Sequence, residues 1–156
     1  PMPGWGADGA VAAAGCCFIC YHVLLLAAAA IDARERRAPN ALVAAMLAVA
    51  AAHLALSREP ASWVPALGFA LAVCGLLVAL EVAWRRLRGS IGLGMGDVKV
   101  LGTAMLLDPV TALAGFIGAL ALLAAAALAL RKPSLPLLPF FFGAFIAAEV
   151  APRAFG

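Results

Sequence analysis

Two aspartates, Asp32 and Asp97, are the side chains in this sequence best suited to catalysis. Asp32 ends a long apolar stretch, and Asp97 follows the alternating glycines Gly94 and Gly96. Ionisable side chains beside hydrocarbon are costly and commonly functional. Two carboxylates a few ångströms apart cannot both ionise easily, so they share a proton, and one serves as base while the other serves as acid. Such a pair could activate water to hydrolyse a peptide bond.

The elements that would position these carboxylates are transmembrane helices. The 156-residue chain is 66% hydrophobic and 12% charged, whereas soluble domains are roughly 45–50% apolar and about 25% charged. A soluble domain of this size could not hide so much apolar surface from water. The sequence therefore predicts an all-α, polytopic transmembrane bundle that forms one integral membrane domain over residues 1–156. The lipid bilayer is its expected surrounding, and a net charge of +3 with scattered basic residues gives no indication of nucleic acid.

The apolar pattern predicts about six membrane segments. Segments long enough, or nearly long enough, to span a bilayer cover residues 10–31, 39–56, 60–80, 109–130 and 135–150. The fourth segment, residues 91–107, is expected to be short or irregular because it carries Asp97, Lys99 and several glycines. Its helical part of about 12 residues would reach roughly 18 Å, less than a hydrocarbon core of about 30 Å. It is either a partly unwound span or a re-entrant piece, and either needs cover from protein or water.

Basic residues favour the six-span arrangement. With the N-terminus outside, six spans collect most arginines and lysines on one side, and they leave only Arg58 and Arg153 on the other. The first set is Arg34, Arg36, Arg37, Arg85, Arg86, Arg88, Arg131 and Lys132. This bias is expected when the first side is cytoplasmic. Both aspartates then lie at the cytoplasmic face.

Simpler roles remain open for each of these charged residues. Asp32 could pair with Arg36 four positions later on one helix. Asp97 could be an acid favoured by the dipole at a helix N-terminus. Lys99 could be a cationic anchor that reaches the lipid headgroups, or a positive charge near the aspartates or the substrate.

Other polar residues are expected to be structural. Glu81 and Arg85 have the spacing of an ion pair on the third helix. Asp108 stands before a proline and is expected in a turn. His53 and Glu149 fall near the outer face, and we expect them to take no part in the chemistry.

The cysteines give no reason to expect a metal. All four lie in apolar runs, and the Cys17-x-x-Cys20 pair has no second cysteine or histidine pair to complete a site. They are interpreted as small apolar side chains packed within helices. We expect no metal, no disulfide and no cofactor.

Two motifs resemble a known family. Residues 94–99, Gly-Met-Gly-Asp-Val-Lys, resemble the G-x-G-D-x-K signature of type IV prepilin peptidases, a group of GxGD membrane aspartic proteases. Asp32, followed by basic residues and then Pro39-Asn40, is similar to the first motif of that family. The Leu-Pro-Leu-Leu-Pro-Phe stretch at 135–140, followed by Gly143, resembles its last segment more loosely. The likeness extends over roughly residues 31–145.

The resemblance implies a function. The chain would be an aspartic endopeptidase that removes the leader of a pilin-like precursor at the cytoplasmic face of the bacterial inner membrane. The precursor would carry a short hydrophilic leader ending in glycine, followed by an apolar helix. The catalytic residues would be Asp32 and Asp97, with support from Gly94, Gly96, Lys99, Pro39 and Asn40. We expect the two glycines to leave room beside Asp97 for an extended substrate backbone.

The resemblance is to the small form that serves Flp, or tight-adherence, pili. Larger members of the family carry an extra region with two Cys-x-x-Cys pairs and also methylate the new N-terminus of the product. That region has no counterpart here, and the sequence leaves both methylation and oligomeric state open. Presenilin-type proteases resemble a different pattern, with tyrosine where Ile31 precedes Asp32 here. A small transporter or proton-relay subunit, or a non-catalytic secretion-assembly subunit, remains an alternative.

Overall fold

The fold is a bundle of α-helices. A computed structural model describes residues 5–89, 93–131 and 135–155, and within these ranges it contains six α-helices, one short 3₁₀ helix and no strand. The helices are α1 (Trp5–Glu35), α2 (Asn40–Ser57), α3 (Trp63–Arg88), α4 (Met95–Met105), α5 (Pro109–Leu130) and α6 (Leu138–Phe155), and the 3₁₀ helix at Pro60–Ser62 precedes α3. The predicted all-α bundle with a short fourth segment is confirmed. Residues 91 and 92 of the predicted fourth segment, and Lys132, lie outside the described ranges.

Four of the described stretches are long and apolar enough to cross a bilayer. They are Asp8–Glu35, Asn40–Ser57, Pro60–Arg88 and Pro109–Leu130. In α6 the apolar stretch is shorter, at Leu138–Ala151. The 11 residues of α4 correspond to about 16 Å, so α4 is too short to span by itself.

α4 runs inside the bundle and links its two ends. It packs against α2, α3 and α5. At its start, Gly96 lies against Ala38, just before α2 begins. Beyond its end, the carbonyl of Leu107 accepts a hydrogen bond of 2.9 Å from Nη2 of Arg58, the residue after α2. The fourth segment therefore runs alongside α2, from near its start to near its end.

The enclosure of α4 is nearly complete after its first turn. The buried side chains are Val98, Val100, Leu101, Thr103, Ala104 and Met105. The hydroxyl of Tyr21 on α1, itself buried, shares a hydrogen bond of 2.9 Å with the hydroxyl of Thr103. A short helix with a polar side chain is thus covered by protein on several sides, which is what a low-dielectric surrounding requires.

The turn before α5 begins with a helix cap. Asp108 precedes Pro109, and its Oδ1 accepts hydrogen bonds from the backbone N–H groups of Val110 at 3.0 Å and Thr111 at 3.4 Å. Proline suits the first helical position because no intrahelical partner is lost there. The predicted turn at Asp108 is confirmed, and the capping role adds to it.

Polar side chains of α1, α2 and α6 join helices to one another. His22 on α1 and Glu149 on α6 lie 3.0 Å apart, Nε2 to Oε2. Nδ1 of His53 on α2 lies 3.0 Å from the carbonyl oxygen of Ala14 on α1. Hydrogen bonds between helices hold polar groups that lipid could not satisfy. His53 and Glu149 therefore have structural partners of their own.

The close approach of α5 and α6 depends on a missing side chain. These two helices form the most extensive pair in the bundle. A Cβ on Gly115 would stand 2.8 Å from Cα of Phe145, a backbone atom that cannot turn away. A Cβ on Gly118 would meet the Cβ of Ala144 at 3.5 Å, an ordinary contact.

We expect Gly115→Ala to destabilise the protein and Gly118→Ala to be tolerated. The first change forces α5 and α6 apart, and overpacking of this kind costs about 1–3 kcal/mol. The second adds a helix-favouring residue where there is room, and should be neutral or stabilising by up to about 1 kcal/mol. Thermal unfolding in detergent compares the two variants. Equal melting temperatures would contradict the packing described for Gly115.

Candidate active site

Asp32 lies near the end of α1, where the helix meets the start of α6. Its side chain is only 7% exposed. Its Oδ2 accepts a hydrogen bond of 3.1 Å from the backbone N–H of Leu138, the first residue of α6. The first N–H groups of a helix have no partner within the helix, and the helix dipole favours a negative charge at that end. The carboxylate of Asp32 therefore ties α1 to α6.

The simple pairing of Asp32 with Arg36 does not form. α1 ends at Glu35, and Arg36 takes a left-handed backbone conformation with φ of 53°. The Arg36 N–H still donates to the Asp32 carbonyl at 2.9 Å, which closes the helix end. No ion pair between the two side chains occurs in the part of the chain that the structure describes, because Arg36 has left the helical path.

Asp97 lies in the first turn of α4 and folds back over the helix start. Gly94 caps this helix, with φ of −69° and ψ of 134°, so Asp97 is the third helical residue. An acid at that position can reach back towards the N–H of the cap residue, and the Gly94 backbone lowers the pKa of the Asp97 carboxyl. A Cβ on Gly94 would stand 2.8 Å from Oδ2 of Asp97. Glycine at 94 thus makes room for the carboxylate itself.

Both aspartates line one cavity at this end of the bundle. Its volume is about 340 Å³. Arg36, Leu93 and Gly94 contribute to its wall. Apolar residues of α5 and of the segment before α6 complete it: Leu120, Leu123, Leu135, Pro136 and Leu137. Two carboxylates that are 65 positions apart in the sequence are brought to one partly apolar pocket.

The two carboxylates have different surroundings. The pKa of Asp97 is raised from its ordinary value of 3.8 to about 6, mainly by burial and also by the charge of Asp32, while the Gly94 backbone opposes the rise. Asp97 stands in the first turn of α4, outside the four long spanning helices. Asp32 accepts a backbone N–H from the start of α6. The raised pKa makes Asp97 the candidate proton donor of the two.

Lys99 and Asn40 line a different cavity. Residues two apart on a helix point about 200° apart, so Lys99 faces away from Asp97. Its Nζ donates to Oδ1 of Asn40 at 3.1 Å, and both border an apolar groove of about 410 Å³ between α2, α3 and α4. Pro39 caps the start of α2, and its carbonyl accepts the N–H of Val43 at 3.1 Å. Lys99 and Asn40 thus join α4 to α2, and Pro39 begins α2. None of these three residues lines the cavity of the two aspartates.

Gly96 lies against protein in the structure. The prediction that it leaves space for a substrate backbone is not supported, because a Cβ there would meet the Cβ of Ala38 at 3.1 Å. Gly96 lets the loop between α1 and α2 approach the first turn of α4. The two glycines beside Asp97 therefore serve two different close contacts.

Glu81 contacts the approach to α4, which its sequence position did not reveal. The predicted ion pair with Arg85 is confirmed, with Nε to Oε1 at 2.5 Å. Its other oxygen, Oε2, also accepts the backbone N–H of Leu93 at 2.6 Å. The sequence signal for this contact is an acid near the end of an apolar helix. That signal is ambiguous, because an ion pair with Arg85 four residues later already accounts for an acid at position 81.

Comparison with known proteins identifies the family. A family model described as "Type IV leader peptidase family" matches residues 17–151. The chain belongs to this family. No curated protein and no solved structure matches it. With its long apolar helices, this member of the type IV leader peptidase family is a membrane-embedded protease, and so a hydrolase.

Gly94→Ala is expected to impair cleavage without unfolding this peptidase. The added Cβ displaces the end of a side chain, Oδ2 of Asp97, and leaves the backbone packing in place. Displacement of a reacting group by about 1 Å can cost about 100-fold in rate, so the catalytic role predicted for Asp97 implies a loss of at least about 10-fold. Precursor cleavage and thermal unfolding are measured together. Gly143→Ala is the control, because a Cβ there meets nothing within 4 Å, and an equal loss in it would contradict the role of Gly94.

Asp97→Asn is expected to raise stability at neutral pH. A folded-state pKa above the unfolded value of 3.8 stabilises the fold fully below that value, and this contribution is lost as pH rises through about 6. Asparagine carries no charge at any of these pH values. Its melting temperature should exceed that of the wild type at pH 7.5, by about 2–4 °C for each kcal/mol, and the difference should disappear below pH 3.8. Asp8→Asn, at an exposed site, should show no such pH-dependent difference.

Proposed function

We propose that this chain is an aspartic endopeptidase that removes the leader from pilin-like precursors at the cytoplasmic face of the bacterial inner membrane, with Asp32 and Asp97 as its catalytic pair. One observation carries the proposal: carboxylates from α1 and α4 line a single cavity in unequal surroundings. Two acids that share one proton can hydrolyse a peptide bond without a covalent intermediate. No metal or cofactor enters the reaction, which stays a prediction from the sequence.

The proposed reaction begins with a water molecule between the carboxylates. Ionised Asp32 accepts a proton from the water molecule, and the oxygen of that water attacks the carbonyl carbon of the scissile peptide bond. Protonated Asp97 donates its proton to the carbonyl oxygen, and a tetrahedral diol forms. Asp32 then gives its proton to the leaving nitrogen, the C–N bond breaks, and one diol proton returns to Asp97. Both carboxyl groups end as they began.

The proposed substrate suits the wall of the cavity. Leu120 and Leu123 come from a membrane-crossing helix, whereas Asp32 and Asp97 stand near helix ends. The precursor would have an apolar helix in the bilayer and a hydrophilic leader in the water beside it. The junction between helix and leader would then lie at the level of the two aspartates. Arginines follow the same ends of α1 and α3, at Arg37 and Arg88 for example, which agrees with a cytoplasmic position.

The direct test is cleavage of a precursor by the purified protein in liposomes. A candidate pilin from the same source is incubated with wild type, Asp32→Asn and Asp97→Asn, at equal amounts of folded enzyme. We expect either change to lower the rate by at least about 10⁴-fold, because the pair acts as one unit. Asp8→Asn, an exposed acid far along α1 from the cavity, should leave the rate unchanged.

Cleavage that survives in both variants would overturn the proposed mechanism. The alternative of a proton-relay or transport subunit would then come forward, because two membrane carboxylates can also carry protons. A measurement of proton uptake by liposomes that contain the wild type would test that alternative. Assembly of pili with an uncleaved precursor would instead favour a non-catalytic subunit.

The rate of cleavage should fall as pH rises. The proposed acid is protonated Asp97, whose pKa is raised to about 6, so the reactive form decreases about 10-fold for each pH unit above that value. We expect the single-turnover rate to decline from about pH 6 towards pH 8 at saturating precursor. A rate that rises or stays level across this range would contradict the assignment of Asp97 as the acid.

A further inference from the structure

Glu81 is a buried carboxylate on α3 that reaches the backbone just ahead of the catalytic helix. The residue is 3% exposed. Its Oε1 accepts from Nε of Arg85 at 2.5 Å, and its Oε2 accepts from the backbone N–H of Leu93 at 2.6 Å. Leu93 immediately precedes Gly94, the residue that caps α4, and Leu93 also lines the cavity of the two aspartates. The carboxylate therefore connects α3 to the start of the segment that carries Asp97.

We propose that Glu81 is a positioning residue for the peptidase reaction: its Oε2 fixes the backbone at Leu93 and so sets where Asp97 stands relative to Asp32. This rests on the proposed function of the two aspartates. Glu81 does not touch the reacting atoms. It acts through four residues of backbone that end at the catalytic carboxylate.

The backbone at this point needs such an anchor. Leu93 and Gly94 lie outside regular helix, between α3 and α4, so no helical hydrogen bond holds the Leu93 N–H. A hydrogen bond to a charged, buried carboxylate is about twice as strong as one between neutral groups. Because Gly94 lies directly against the Asp97 carboxylate, with a Cβ at 94 only 2.8 Å from its Oδ2, any movement of Leu93 passes to the catalytic side chain within one helical turn.

The acceptor oxygen of Glu81 matters more here than its charge. The Arg85 side chain is 44% exposed, so water can replace the ion pair when the charge of Glu81 is removed. Leu93 lies against the apolar core, where its N–H has less access to water. Glutamine keeps an oxygen that can accept from Leu93, whereas leucine fills similar space and accepts nothing. The two substitutions therefore separate anchoring from charge.

The test compares Glu81→Gln and Glu81→Leu with Glu149→Gln as a matched control. Glu149 is also an acid that bonds to another helix, at His22, but within the described ranges it makes no hydrogen bond or ion pair with Leu93 or Gly94. The first readout needs no activity: amide hydrogen exchange of residues 93–97 in detergent. The second is precursor cleavage, with kcat and KM separated and the pH dependence recorded. Asp97→Asn serves as the inactive reference.

We expect Glu81→Leu to speed amide exchange at 93–97 and to lower kcat by about 10–100-fold, with KM within about twofold. Asp32 and Arg36 are the charged groups that share the cavity with Asp97. If Asp97 moves away from Asp32, its raised pKa falls, so the decline of activity at high pH should begin at a lower pH. A smaller population of folded enzyme would lower kcat without moving this decline. Glu81→Gln should restore exchange and kcat to within about threefold of the wild type.

Three results would overturn the proposal. One is unchanged amide exchange at 93–97 in Glu81→Leu. Another is a loss in Glu81→Gln equal to that in Glu81→Leu, which would assign the effect to charge. The third is an equal loss in Glu149→Gln, which would assign it to general destabilisation. Failure of the proposed function is recognised separately, since the wild type would then match Asp97→Asn in cleavage while the exchange measurement would still report on Glu81.

Discussion

The burial of α4 is the constraint on which the rest of this structure depends. A helix of 11 residues cannot cross a bilayer alone, and lipid cannot satisfy the backbone groups at its ends. Protein must therefore cover both the helix and its ends. α2, α3 and α5 surround it, and Gly102 lets α3 come close, because a Cβ there would meet Sγ of Cys74 at 3.1 Å. The same enclosure that makes a short helix tolerable gives Asp97 its partly buried position.

Helix ends supply the polarity of the site. Asp97 belongs to the first turn of α4, beside its cap at Gly94, whereas Asp32 accepts the first N–H of α6 at Leu138. Each carboxylate thus lies at backbone groups that a helix leaves free. The two environments differ, since Asp97 lies at the start of its own helix and Asp32 lies at the start of another. Under the proposed function, this difference suits the two acids to separate parts of one reaction.

The sequence could predict the elements because their limits are local. α5 occupies residues 109–130 as expected, since Asp108 and the following proline specify its start. α6 begins at Leu138 and not at 135, because Pro139 then falls in the first turn, where a proline breaks no intrahelical hydrogen bond. The contacts of Leu138 with Asp32 and of Leu93 with Glu81 could not be predicted. Every residue except proline has a backbone N–H, so the sequence does not show which N–H a carboxylate will accept. That depends on how distant helices pack.

The two glycines of the motif are required for two different physical reasons. Their alternation beside Asp97 was interpreted as a single feature, space for a substrate, yet Gly94 makes room for the carboxylate and Gly96 for Ala38. The surface over Gly96 is therefore already occupied by the loop between α1 and α2. Under the proposed function, a substrate backbone must approach the carboxylates from the other side, past Leu123 of α5 and Leu135 before α6. The glycines then serve the reaction by shaping the helix start that holds the acid, while the wall that meets the substrate comes from the later part of the chain.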